Sequence, residues 1–141
     1  MSSKYVDTIA IVQVIGCVFN NPLLLDFGDK YVISEDDFPD TFHKIVFGSI
    51  YKLFESGATK ITLSNILDFL STRPKSEAVF KSQKGEEWLL AVADKATPES
   101  FDYYYGRLKK FTLLRAYDDL GLNVSDIYDP DIILDVKKKQ I

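Results

Sequence analysis

The sequence has little of the chemistry on which small enzymes depend. Its 141 residues include one histidine, His43, and one cysteine, Cys17. A single cysteine excludes an internal disulfide and a cysteine-based zinc site, and its apolar neighbours are typical of a buried thiol in a reducing cytoplasm. No P-loop, G-x-G-x-x-G or H-E-x-x-H motif is present. The sequence therefore gives no direct sign of nucleotide, dinucleotide or zinc chemistry.

An excess of positive charge and a long apolar run are also absent. The 17 Lys and Arg residues are outnumbered by 21 Asp and Glu, and the formal net charge of −4 argues against a general phosphate-binding surface. The basic groups at Arg107, Lys109 and Lys110 and at 137–139 are interpreted as solvated helix faces or helix C-terminal charge. The apolar run at 9–19 is too short to cross a bilayer and favours a core helix over a signal peptide. A cytoplasmic protein without a membrane segment is expected.

The composition that is present predicts a folded, all-α domain. Apolar residues make up 46% and charged residues 27% of the chain, which suffices for a core. Apolar residues recur at helical spacing throughout. We predict a compact helical bundle over residues 1–97, followed by a long antiparallel helical hairpin over 98–141 that continues into a longer protein. Thr97 caps the first hairpin helix with Pro98 in its first turn, and Asp129 and Pro130 begin the second.

The predicted hairpin has apolar faces that it cannot bury alone, so self-association is expected. The aromatic and basic stretch at 101–111 also suits a single-strand nucleic-acid binder, but the helical spacing favours a core or interface helix. The predicted oligomer interface consists of Tyr104, Leu108, Phe111, Leu114, Tyr117, Leu120, Ile132, Ile133 and Val136.

The stretch "DDFPDTFHKIVF", residues 36–47, places His43 close to several carboxylates. Three interpretations are open: a metal site, a catalytic pair, or the start of a helix. Asp37 is the predicted N-cap, with Pro39 in the first turn. The positive end of the helix dipole favours acidic residues at this position. A metal would need ligands from other helices or a second chain. The helix start is the favoured interpretation.

The same stretch carries a resemblance to a known family. The positions that carry it begin in this stretch and continue to residue 57: Asp37, Phe38, His43, Val46, Phe47, Ile50, Leu53 and Gly57. The predicted helix containing Ile15 and Gly16 precedes them. The paired tyrosines after Thr97 and the later "YDPD" follow in the expected order. Together these motifs resemble the N-terminal domain of DnaB-like bacterial and phage replicative helicases. Pro39 in place of a tyrosine, and Gly85 in place of a double glycine, indicate a phage version.

The resemblance implies a function that the helical spacing of the apolar residues does not show. Such domains form the collar of a ring-shaped hexamer, a trimer of dimers that guides single-stranded DNA and docks primase or a helicase loader. ATP and magnesium would bind a RecA-like motor domain after residue 141, and this part of the chain would have neither cofactor nor catalysis. Asp37, Phe38, His43, Phe47 and Gly57 would be structural. Two alternatives stay open: a helicase-interacting domain of a primase or a free-standing phage loader or decoy, and a small enzyme or metal protein built on His43.

Overall fold

The computed structural model describes residues 5–121, which form six α-helices and no strand. The predicted all-α class is therefore confirmed. The helices are α1 (Thr8–Asn20), α2 (Thr41–Glu55), α3 (Leu63–Leu70), α4 (Pro74–Ser82), α5 (Gly85–Lys95) and α6 (Phe101–Asp119).

The connections between the helices include three short 3-10 turns, at Pro22–Asp26, Glu35–Asp37 and Pro98–Ser100. The predicted second helix of the hairpin lies outside the described residues, together with its interface positions Ile132, Ile133 and Val136. What the structure describes of the hairpin is therefore its first helix, α6.

Helix α1 lies at the centre of the fold, packed against α5 on one side and α6 on another. Val14, Ile15 and Val18 have no exposed surface. Gly16 faces α5 so closely that a Cβ atom there would lie 2.5 Å from the carbonyl oxygen of Val92. Only glycine permits this approach of two helix backbones. Each large apolar side chain buried in this way stabilises the fold by roughly 1.5–3 kcal/mol.

Two polar side chains of α1 hold the end of α5. The Gln13 side chain donates to the carbonyl of Lys95 (3.1 Å) and accepts from the main-chain N–H of Thr97 (2.9 Å). The Asn20 side chain donates to the carbonyl of Ala93 (2.8 Å). Gln13 interrupts the apolar run at 9–19 because it satisfies main-chain groups where α5 ends.

Two helix starts differ from the sequence prediction. The N-cap of α2 is Asp40, whose carboxylate accepts from the N–H of Phe42 (2.8 Å), so the prediction that Asp37 caps this helix was wrong. The reason is Pro39, which restricts Phe38 to an extended conformation, so that α2 begins only at Thr41. Helix α6 begins at Phe101, because Pro98 opens only a short 3-10 turn, and Thr97 makes no side-chain cap there.

The other boundaries follow ordinary capping chemistry. Gly57 follows α2 with φ of +107°, a conformation that favours glycine. Thr62 caps α3, with the N–H of Asn65 donating to its hydroxyl (3.2 Å). Pro74 begins α4, at a position where proline suits the first turn of a helix.

The main core extends past residue 97. Phe101 and Leu108 of α6 are buried in the same cluster as the central residues of α1 and α2. A second, smaller cluster combines Tyr5, Phe111 and Leu114. The first part of α6 is thus continuous with the bundle. The division into a bundle over 1–97 and a hairpin over 98–141 stays a prediction.

Candidate assembly site where helix α6 meets the bundle

The charged residues of α6 meet the acidic stretch that precedes α2. The Asp37 side chain is completely buried. Its carboxylate accepts from Lys109 Nζ (3.0 Å to each oxygen), from Thr112 Oγ1 (2.7 Å) and from the main-chain N–H of Ser34 (2.9 Å). A buried carboxylate is tolerated when it is paired and fully hydrogen-bonded in this way. Asp37 therefore fixes α6 to the 3-10 turn at Glu35–Asp37.

Arg115 makes a second attachment further along α6. It is 7% exposed, and its guanidinium donates to the carbonyls of Tyr5 (2.7 Å) and Asp36 (3.2 Å). Burial lowers the pKa of Arg115, while the nearby carboxylates, Asp37 foremost, oppose that shift. An arginine remains charged at neutral pH even so. Arg115 thus attaches both the N-terminal segment and the 3-10 turn at Glu35–Asp37, which is the acidic turn, to α6.

Asp7 makes the third attachment. Its carboxylate caps α1 by accepting from the N–H of Ala10 (3.0 Å), and it also accepts from Arg107 Nε. Burial lowers the pKa of Arg107, but the hydrogen bond and charge of Asp7 outweigh it and raise that pKa above its usual value. We call the set of Asp7, Asp37, Arg107, Lys109 and Arg115 the α6 anchor.

The α6 anchor corrects the interpretation of the basic residues as a solvated face. Arg107 and Lys109 are paired with carboxylates, and their side chains are 21% and 24% exposed. Lys110 is 4% exposed. The sequence did carry one signal of this: Thr112 and Arg115 follow the same helical face as the apolar residues of α6, and polar residues on a buried face need partners.

The aromatic start of α6 holds the loop between α1 and α2. The Tyr105 hydroxyl accepts from the main-chain N–H of Val32 (2.8 Å), and Asp102 accepts from the Tyr31 hydroxyl. The Tyr31 ring meets Phe101 edge-on, with centroids 4.8 Å apart. The tyrosines at 104 and 105 are half-buried, so this part of the stretch is chiefly a packing surface.

The described residues of the predicted oligomer interface differ in how far they are buried. Its buried members are Leu108, Phe111 and Leu114, and its half-buried members are Tyr104 and Tyr117. Leu120, just after the end of α6, is 76% exposed. Tyr103, which the prediction did not include, is 60% exposed. The described apolar surface that α6 offers to another molecule is therefore concentrated at its two ends, and the interface itself stays a prediction.

His43 lies apart from the α6 anchor, among aromatic rings. Its ring centroid is 5.6 Å from that of Phe42 and 5.4 Å from that of Trp88. Burial lowers its pKa, and the charge of Asp40 opposes the shift. Within residues 5–121, no group of three or more His, Cys, Asp or Glu side chains is arranged to hold a metal ion.

The other aromatic members of the motif belong to the core. Phe38 has no exposed surface and Phe47 is 2% exposed. Their ring centroids lie 5.0 Å apart. Phe38 precedes α2 and Phe47 lies within it, so this contact holds the acidic turn against the helix that follows.

Comparison with known proteins identifies the family. The family model described as the DnaB-like helicase N terminal domain matches residues 10–110. The chain belongs to this family. The match spans the bundle and the part of α6 that carries Arg107 and Lys109. The resemblance carried by Asp37, Phe38 and His43 is thus confirmed.

A phage-derived relative supports the same assignment. The chain is 39% identical over 127 residues to the SPbeta prophage-derived uncharacterized protein YorI of Bacillus subtilis (strain 168). The alignment covers 90% of this chain and 25% of the relative, so the chain spans about a quarter of that protein's length. No solved structure matches the chain. Among the described residues, no helix is long and apolar enough to span a membrane.

Proposed function

We propose that this chain is the collar module of a ring-shaped replicative helicase, which joins subunits through α6 and the residues that follow it. The observation that carries the proposal is the α6 anchor. Partly buried ion pairs fix the direction of α6 relative to the bundle, and an exposed apolar residue, Leu120, follows its last turn. A rigidly directed helix with an apolar end suits the pairing of subunits in a fixed geometry.

The collar has no catalysis of its own on this proposal. ATP hydrolysis with magnesium would belong to a RecA-like motor domain after residue 141. The relative is about four times as long as its matched segment, which supports the presence of further domains in such proteins. A purified 141-residue chain is expected to show no ATPase activity, whereas a longer protein containing the motor would show it.

The same module would dock a primase or a helicase loader. Single-stranded DNA would pass through the ring without strong contact to this module, because a net charge of −4 disfavours phosphate binding. Titration calorimetry of the chain with the primase of the same replication system tests the docking. Saturable binding is expected, and its absence with every primase and loader of that system would contradict this part of the proposal.

Self-association is tested most directly at Leu120. We expect the wild-type chain to associate with rising concentration in light scattering, and Leu120→Asp to weaken association by about tenfold or more, because it buries an unpaired charge. Leu90→Asp is the matched control, since Leu90 is a 53% exposed leucine on α5. A chain that stays monomeric at every concentration but binds a helicase ring would instead support a loader or a primase domain.

A further inference from the structure

A groove of about 470 Å³ opens beside α2, on a part of the bundle that the α6 anchor does not use. It lies between α2, the corner where α3 meets α4, and the turn that begins at Ile33. Phe47 and Leu70 are buried beneath it, and Ile45 and Phe69 are half-buried at its wall. The groove thus offers an apolar lining that is open to another chain.

The charge of the groove is opposite to that of the protein. Three cations, Lys44, Lys52 and Arg73, line it together with one carboxylate, Glu35. Within residues 5–121, neither Lys44 nor Arg73 forms an ion pair with a carboxylate. Lys52 is paired with Glu55 at 3.5 Å. The groove therefore keeps uncompensated positive charge in a chain of net charge −4.

Main-chain hydrogen bonds hold two of these cations at the groove. Lys44 Nζ donates to the carbonyl of Glu35 (2.8 Å), and the Arg73 guanidinium donates to the carbonyl of Phe69 (3.2 Å). These neutral acceptors fix the positions of the side chains without cancelling their charge. Both cations keep further donors that an incoming carboxylate could use.

Gly48 leaves the middle of the groove open. It lies four residues from both Lys44 and Lys52, so all three share one face of α2. A Cβ atom at Gly48 would meet nothing within 4 Å. Internal packing therefore does not require glycine here, although glycine weakens a helix interior. The missing side chain gives an external group direct access to the helix between two cations.

The chain itself contains a segment of matching chemistry. Residues 122–131, "LNVSDIYDPD", contain Asp126, Asp129 and Asp131 without any Lys or Arg, together with four large apolar or aromatic residues. An acidic segment with apolar side chains complements a basic groove with an apolar lining.

The segment follows α6, and Arg115 of α6 contacts the main chain of Asp36 beside the groove residue Glu35. In a two-fold dimer, each copy would offer both a groove and a segment, so the contact would form twice.

We propose that the groove binds the acidic segment 122–131 of a second copy, with its apolar residues on the groove lining and its aspartates facing Lys44, Lys52 and Arg73. The inference rests on the proposed self-association and gives it a location. Opposite charges at such a contact fix which surfaces meet, and like charges placed there oppose association.

Charge reversal in the full 141-residue chain tests the pairing. One variant carries Lys44→Glu and Arg73→Glu, and a second carries Asp126→Lys and Asp129→Lys. Sedimentation equilibrium should show that each variant associates with itself about tenfold or more weakly than wild type. An equimolar mixture should recover association, because a groove with reversed charge then meets a segment with reversed charge.

The control for charge reversal uses two lysines away from the groove. Lys60 and Lys95 are exposed, and neither lines the groove. Lys60→Glu with Lys95→Glu changes the net charge as much as the groove variant does and should leave association nearly unchanged. An equal loss in the control would show that net charge, rather than the groove, determines association.

Filling the groove gives an independent test that does not alter charge. Gly48→Leu should weaken association about tenfold, while Gly48→Ala, which has a similar favourable effect on the helix but adds little volume, should not. Thermal melting followed by circular dichroism confirms that both variants are folded.

The outcomes separate this inference from the proposed function. Groove variants that associate like wild type, while Leu120→Asp still weakens association, would overturn the groove contact and leave the proposed function standing. Two weakened variants whose mixture shows no recovery would also overturn it, because the reversed groove and the reversed segment would then not meet each other. A wild-type chain that is monomeric at every concentration would overturn both.

Discussion

Asp37 and His43 lie six residues apart in one motif, and both carry polar atoms that are buried. Asp37 accepts hydrogen bonds from Lys109, Thr112 and the main chain of Ser34. His43 Nδ1 is buried without a hydrogen-bond partner among the described residues. One group is charged and fully satisfied, whereas the other lies among aromatic rings.

The difference shows two ways in which a fold accommodates a buried polar group. A carboxylate is rarely buried without compensating charge, so Asp37 requires α6 to be in place. A neutral imidazole costs far less to bury, and its ring contributes packing against Phe42 and Trp88. Asp37 therefore couples distant elements, while His43 fills a site within the bundle.

Removing the carboxylate of Asp37 should have the largest effect. Asp37→Ala is expected to lower the free energy of unfolding by about 3–5 kcal/mol, because Lys109 keeps a partly buried charge without its partner. Urea denaturation measures the change. Asp36→Ala is the control, since Asp36 is the exposed neighbour and its substitution should change stability by less than about 0.5 kcal/mol. Equal effects at the two positions would contradict the buried pair.

A double-mutant cycle should show that this loss belongs to the pair. Adding Lys109→Met to Asp37→Ala removes the unpaired charge and should recover about 1–3 kcal/mol of the free energy of unfolding. Lys60→Met, a change at an exposed lysine, provides the control. Strict additivity of the Asp37 and Lys109 substitutions would show that the two side chains do not stabilise each other.

Asp40 lies between the two compared residues and should have an intermediate effect. Asp40→Ala removes the N-cap of α2 and should lower the free energy of unfolding by about 1 kcal/mol, while Asp40→Asn should retain most of it. Thermal unfolding of the two variants measures the difference. If Asp40→Asn is as damaging as Asp40→Ala, the hydrogen bond to Phe42 is not the source of the stability.

The spacing of apolar residues and the helix-ending residues predicted part of this structure, whereas contacts between distant residues could not be predicted. Apolar spacing identified the helices, and the position of Gly57 follows from the conformation that ends α2. The same spacing could not place Asp37, because its partner Lys109 is 72 residues away and Pro39 displaces the helix start. The α6 anchor depends on tertiary contacts that no local period encodes. Only the polar residues on the apolar face of α6 gave a sign of it.

The smallest effect is expected at His43, and it depends on pH. Burial lowers the folded-state pKa of His43 below its unfolded value of about 6.5, so the unfolded state binds the proton more readily. The folded state therefore loses stability as pH falls below about 6.5 and regains it as pH rises.

The substitution His43→Phe keeps an aromatic ring and removes the titration. At about pH 7.5 its free energy of unfolding should lie within about 1 kcal/mol of the wild-type value. Toward about pH 5 the variant should become more stable relative to wild type, because protonation of His43 stabilises only the unfolded wild-type chain. Urea denaturation of both proteins across this range measures the difference. A constant difference at every pH would show that His43 titrates alike in the folded and unfolded states.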